Sequence, residues 1–155
     1  MVGSKIEQAF PSLNNLNYKL TSPETRSYNC IAWAAGDSSR KWWPDKSNIA
    51  YWPAGIPREE TIDTFIAAYK TLDYIGCENG EWEQGFEKIA IYAKYGTEPT
   101  HAALQLENGE WTSKLGDSHD ISHKTAEIIE GKCYGNVVCY LKRKRNPNNS
   151  LGNKL

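Results

Sequence analysis

The Asn108-Gly109 pair, set between the β-rich runs Thr100 to Glu107 and Glu110 to Leu115, constrains this chain more than any other feature. Both residue types tolerate positive φ, which the tight turn between antiparallel strands requires. An antiparallel hairpin is therefore expected there. Upstream, Ile89, Ile91 and Ala93 alternate with Ala90 and Tyr92 within Phe86 to Lys94, so both faces are apolar and the run reads as a central strand. Tyr74 to Cys77 reads as a short strand before the Asn79-Gly80 turn, and Tyr134 to Leu141 as a last, well-buried strand.

Helical signals precede most of this sheet. Pro57 is expected to open a helix with Glu59 and Glu60 in its first turn and Ile62, Phe65, Ile66, Tyr69 and Leu72 along one face. A shorter helix starts at Cys30, with Asn29 as its N-cap and Gly36 as its stop. Ser122 is expected to cap a third, with Ile121 and Ala126 as a staple and Gly131 at its end. This order predicts an α+β fold with N-terminal helices packed on one face of an antiparallel β-sheet.

Residues 1–141 read as a single globular domain, of a length that buries a core without staples. Within it, residues 1–17 form an arm with no assigned role and residues 18–26 a polar lead-in. Residues 142–155 read as a basic, asparagine-rich, disordered tail. Between Arg40 and Pro57, the Trp43-Pro44 and Trp52-Pro53 pairs enforce extended backbone. The aromatics of that segment, Trp42, Trp43, Tyr51 and Trp52, are expected to seal a core beneath irregular chain, and could also wall a substrate cleft.

Eighteen basic and nineteen acidic side chains leave a formal charge of -1, which offers nothing to nucleic acid or to a membrane surface. With no apolar run of membrane-spanning length and no signal-peptide pattern, the default compartment is the cytoplasm, and export by a signal-independent route stays compatible. The cysteines at positions 30, 77, 133 and 139 include no Cys-x-x-Cys pair and read as free thiols. No phosphate-cradling glycine loop or dinucleotide fingerprint occurs, so no cofactor is expected. His119 and His123 are assigned to the surface; their four-residue spacing could supply half of a zinc site, to which Cys133 downstream would add a third ligand, but no second close-spaced pair follows.

Cys30 at the positive end of a helix favours thiolate over thiol, although a free cysteine there also fits a small buried hydrophobe. His101 opens the strand leading into the Asn108-Gly109 hairpin, where a side chain can leave the core and enter a cleft. A helix N-terminus packed near that strand end would bring thiol and imidazole together as an activated pair.

Cys30 at its helix start, Trp33 three residues on, and histidine opening a β-hairpin resemble the papain-like superfamily of thiol hydrolases, especially its compact bacterial NlpC-type amidases. The segments YNCIAWAAG, WWP, YWP, GFEKIAIYA, THAALQLENGEWTSKLG, DISH and YGNVVCYLKR also resemble an uncharacterised bacterial domain family over Tyr28 to Leu141. The first resemblance implies a papain-like arrangement and a cysteine hydrolase, peptidase or amidase, cleaving an amide bond through a thioester. Cys30 would be the nucleophile and His101 the base. The orienting third residue would be Ser113 by hairpin spacing, or a carboxylate, Asp117 or Asp120, which stabilises imidazolium more strongly. Tyr28, Trp33, Trp43 and Trp52 would contact a peptide or amide substrate. The papain-type glutamine before the nucleophile is absent; Thr25, Arg26 and Tyr28 occupy its neighbourhood, which leaves the Cys30 N–H and an unidentified second donor for the oxyanion. The alternatives are a non-catalytic peptide- or glycan-binding module using Trp42, Trp43 and Trp52, or a toxin or effector with thiol hydrolase activity. Oligomeric state is not legible in these residues.

Overall fold

In chain order the elements are α1 (Val2–Ala9), β1 (Tyr18–Ser22), α2 (Cys30–Ala34), α3 (Ile62–Lys70), β2 (Ile75–Cys77), β3 (Phe86–Lys94), β4 (Glu98–Gln105), β5 (Trp111–Lys114), β6 (Asp120–His123) and β7 (Asn136–Lys144). The structure, a computed structural model, describes residues 2–146. Its strands form one seven-stranded sheet in the order β1-β6-β5-β4-β3-β7-β2, and all neighbours run antiparallel. The protein is therefore a mixed helix-and-sheet fold. The Asn108-Gly109 hairpin forms as expected: Leu106 N–H bonds the Glu110 carbonyl at 2.7 Å, and Gly109 turns at φ +90°.

Alternation along β3 divides the interior in two. Ile89 and Ile91 join Ala102 and Leu104 of β4 beneath α2 and α3, where they meet Ile31, Phe65 and Tyr69. Ala90, Tyr92 and Ala103 face the other way and meet Ile6, Phe10, Leu13, Ile121 and Ile129. The N-terminal arm thus has a role that the sequence reading did not assign. Its helix α1 and the following turn cover the second face of a sheet whose central strand is apolar on both sides.

Several local expectations are corrected. The helix expected from Pro57 begins at Ile62, because the Thr61 hydroxyl accepts the Thr64 N–H at 3.2 Å and so caps it there. Arg58 just ahead lies outside the helix, its guanidinium donating to the Asp45 and Ala50 carbonyls at 2.7 and 2.9 Å. Ser122 caps no helix; it lies in β6, and only a 3-10 turn over Ala126–Ile129 follows. The polar lead-in contains β1, paired with β6 from Tyr18↔His123 to Ser22↔Asp120. The last strand is half exposed, with Leu141 its one buried residue. Lys142, Arg143 and Lys144, assigned to the tail, complete β7, and Arg143 and Arg145 pair with the buried Glu87 at 2.7 and 3.5 Å. The remainder of the expected tail, 147–155, lies outside the described residues.

One irregularity in the sheet positions the site. β4 and β5 pair only at Leu104↔Thr112 and Gln105↔Trp111, after which β5 stays with β6 as far as Lys114↔Asp120. The first half of β4 therefore has an edge that β5 does not occupy. The start of α2 lies against it.

Candidate functional site

The start of α2 is fixed by Asn29. Its Oδ1 accepts from the N–H groups of Ala32 (3.1 Å) and Trp42 (3.0 Å), and its Nδ2 donates to the Trp42 carbonyl at 2.7 Å. One side chain thus caps the helix and ties it to the tryptophan-rich segment. Trp33 Nε1 donates to Thr112 Oγ1 at 2.9 Å and the Tyr69 hydroxyl to the Ile31 carbonyl at 2.9 Å, which lock the helix onto the sheet and α3.

Cys30 occupies the first helical position, as expected, and is 9% exposed. Its Sγ donates to the carbonyl of Thr100, the residue before His101, at 3.9 Å. Burial pushes the thiol up to about 11, against the pull of the backbone N–H groups of Ala102, Ile31 and Cys30 and of the Lys114 ammonium. The expectation of a lowered thiol is not met. Desolvation penalises the thiolate, and a helix of five residues has little dipole to oppose it.

His101 and Ser113 do meet, on the face of β4 and β5 that carries the second core. His101 Nε2 lies 2.9 Å from Ser113 Oγ, and Ser113 Oγ lies 2.8 Å from His123 Nε2. His123 Nδ1 lies 2.8 Å from the Thr125 carbonyl. A carbonyl only accepts, so His123 carries its proton on Nδ1 and accepts on Nε2 from the Ser113 hydroxyl. Ser113 then accepts from His101, whose proton must sit on Nε2. The lone pair of neutral His101 is thereby assigned to Nδ1, which is buried and has no hydrogen-bond partner among the described residues. Burial holds His101 well below the ordinary 6.5, helped by repulsion from His123, and lowers His123 to about 4.

Tyr134 covers this imidazole. The two rings stack with centroids 3.9 Å apart and planes 8° apart. The loop carrying Tyr134 is closed on itself by the Gly131 N–H to Gly135 carbonyl bond (3.0 Å) and its reverse (2.8 Å). Thr100 Oγ1 donates to the Tyr134 carbonyl at 2.5 Å. Gly135, at φ +73°, leaves no room for a side chain: a Cβ would sit 2.1 Å from the Ala93 carbonyl oxygen.

The carboxylates lie elsewhere. Asp120 is fully buried, accepts the Tyr28 hydroxyl at 2.5 Å through Oδ2, and leaves Oδ1 without a hydrogen-bond partner among the described residues. Asp117 sits at the surface beside Arg26 (3.8 Å) and Lys41 (3.6 Å). Buried Lys114 lies 5.4 Å from the centre of the Tyr28 ring, donates to the Ser118 carbonyl, and has its pKa lowered by burial. Next to these groups an open groove of about 570 Å³ runs between Glu24–Arg26 and Leu115–Ser118. Trp33 and Trp52 are 6% and 5% exposed; Trp43 and Trp52 pack edge-on against Phe65.

The sequence reading missed His123 and Tyr134. His123 was placed at the surface, but it is fully buried because it shares the inward face of β6 with Ile121. That two-residue spacing was its legible signal. His119 bonds Ser118 instead, at 3.1 Å, and no group of three or more potential metal ligands occurs among the described residues. None of their helices is long and apolar enough to cross a membrane.

A family model described as a domain of unknown function (DUF7689) matches residues 19–142. The chain belongs to that family. The match covers the run that resembled an uncharacterised family in sequence, and takes in Cys30, His101, Ser113 and His123 together; α1 lies outside the DUF7689 match. No curated protein and no solved structure matches the chain.

Proposed function

We propose that this DUF7689 protein is a cysteine hydrolase of amide bonds in which Cys30 is the nucleophile, His101 the base and Ser113 the orienting residue, a papain-like division of labour. The observation carrying this reading is the proton order along His123, Ser113 and His101. It commits Nε2 of His101 to donation and reserves Nδ1 as a free acceptor, on the residue that follows the carbonyl touched by the Cys30 thiol. A general base needs such a lone pair, and a base that must later act as an acid needs its other nitrogen fixed.

In this mechanism Nδ1 takes the Cys30 proton as Sγ attacks the amide carbon, then delivers it to the departing amine. A water deprotonated by the same nitrogen hydrolyses the thioester. The imidazolium is stabilised by Ser113 and, through it, His123, because Asp120 is occupied with Tyr28. The closed arrangement keeps thiol and imidazole neutral, so catalysis requires that the Gly131–Gly135 loop lift Tyr134 from His101.

The test is alkylation by iodoacetamide, followed residue by residue by mass spectrometry, with exposed Cys133 as the internal reference. A peptide-mimicking electrophile that labels Cys30 in preference to Cys133, and loses that preference in His101→Ala, is the expected result. If Cys30 labels no faster than Cys133 with either reagent, or if the mutation leaves the ratio unchanged, the hydrolase reading is wrong.

A further inference from the structure

A second groove, of about 430 Å³, opens on the sheet face that also carries His101, walled by Trp82, Trp111 and Tyr140 and floored by Gln105. Gln105 and His101 share a face of β4 four residues apart, about 13 Å at ~3.3 Å per residue, so this groove is separate from the thiol site. Gln105 is 1% exposed, and its Nε2 donates to the Gly80 carbonyl at 2.9 Å. Because that partner can only accept, the orientation of the amide is settled, and its Oε1 is left buried with no hydrogen-bond partner among the described residues. Gly80 permits the arrangement: a Cβ there would lie 2.5 Å from the Tyr140 ring.

The walls share one polarity. Trp82 is 53% exposed yet not free, since its Nε1 donates to the Glu107 carbonyl at 3.1 Å and its ring rests on Gly109. An exposed indole pinned in one orientation presents a fixed electron-rich face. The Glu78 and Glu81 carboxylates on the rim have no hydrogen-bond or ion-pair partner among the described residues, and Glu127 accepts the Tyr140 hydroxyl at 2.8 Å. Lys124, the one cation of the lining among the described residues, is already paired with Glu110 at 3.4 Å. The same loop also holds an ammonium from within, that of Lys88, on Asn79 (3.1 Å) and Glu83 (3.7 Å).

We propose that this groove binds an aliphatic primary ammonium group, with the Gln105 carbonyl accepting an N–H, Trp82 stacking on the alkyl chain or the charge, and Glu78 and Glu81 supplying the counter-charge. A lysine side chain of a peptide and a free polyamine present this same chemistry. The inference is independent of the thiol reading.

The experiment titrates the protein with Nα-acetyl-lysine amide, with its Nε-acetylated counterpart and with spermidine, following tryptophan fluorescence and backbone amide shifts. Saturable binding of the charged probes, absent for the Nε-acetylated one, is expected. Trp82→Ala and the surface double variant Glu78→Gln/Glu81→Gln should each weaken it about tenfold, about 1.4 kcal/mol. Gln105→Leu should weaken it further, and the surface variants decide the matter if that buried change impairs folding. Tighter binding of the lysine amide identifies a peptide source; tighter binding of spermidine identifies a polyamine. Equal binding of the charged and acetylated probes, no saturation below ~10 mM, or unchanged affinity in the surface variants overturns the proposal.

Discussion

Tyr134 lies flat on the His101 imidazole, 3.9 Å between centroids and 8° between planes, and so covers the residue assigned as base. The loop that holds it depends on Gly135, whose missing side chain lets the chain pass the Ala93 carbonyl. Tyr134→Ala should expose the imidazole and raise Cys30 alkylation about tenfold relative to Cys133, an opening free energy of ~1.4 kcal/mol. Gly135→Ala should unseat the same loop by collision and cost about 1–3 kcal/mol in urea unfolding. A Tyr134→Ala protein with an unchanged labelling ratio would show that the loop is not a lid.

Ser113 links the two buried histidines by hydrogen bonds. Ser113→Ala leaves the Nε2–H of His101 and the Nε2 lone pair of His123 without partners, at about 1–3 kcal/mol for each stranded group. Stability should fall by ~3 kcal/mol, and nitrogen chemical shifts should show His101 losing its single tautomer. Retention of one tautomer would locate the control of His101 elsewhere.

What the sequence showed and what it concealed divide along physical lines. Asn108-Gly109 and the Asn29-Cys30 cap are local devices whose chemistry acts within a few residues, and both formed where expected. β1 was hidden because Tyr18–Ser22 is an edge strand, paired on one side only and therefore free to be polar. The helix start was misplaced because Pro57, Glu59 and Glu60 carry first-turn chemistry while Thr61 holds the cap itself. Ser113 was legible as one of three candidates; only the register of β4 against β5 separates it from Asp117 and Asp120. Tyr134 could not be read at all, since its contact with His101 depends on how β7 approaches β3 across the sheet.

Acid should destabilise this fold through its two buried histidines. His123 is lowered from 6.5 to about 4 by burial, and burial also holds His101 well below its ordinary value. Between these values the unfolded chain binds protons that the folded chain refuses, so stability is complete above pH 6.5 and declines as pH falls towards 4. His123 alone accounts for ~3 kcal/mol of that decline. Urea unfolding from pH 7 to pH 4 should show the slope, flattened in His123→Gln, whose amide does not titrate. An equal slope in both proteins would mean that His123 is not the group responsible.

Asn29 distinguishes a helix cap from a tether. Aspartate caps helices as well as asparagine does, so a capping role alone predicts that Asn29→Asp is neutral. Asn29 also donates to the Trp42 carbonyl at 2.7 Å, and a carboxylate there sets two acceptors against each other. Asn29→Asp should therefore lose ~2 kcal/mol near neutral pH, much as Asn29→Ala does. Its deficit should shrink below pH ~4, where a protonated carboxyl regains a donor. Chemical denaturation of both variants across that range reads the difference. Wild-type stability in Asn29→Asp at pH 7 would reduce Asn29 to a simple cap and leave the tryptophan-rich segment to be held by Arg58.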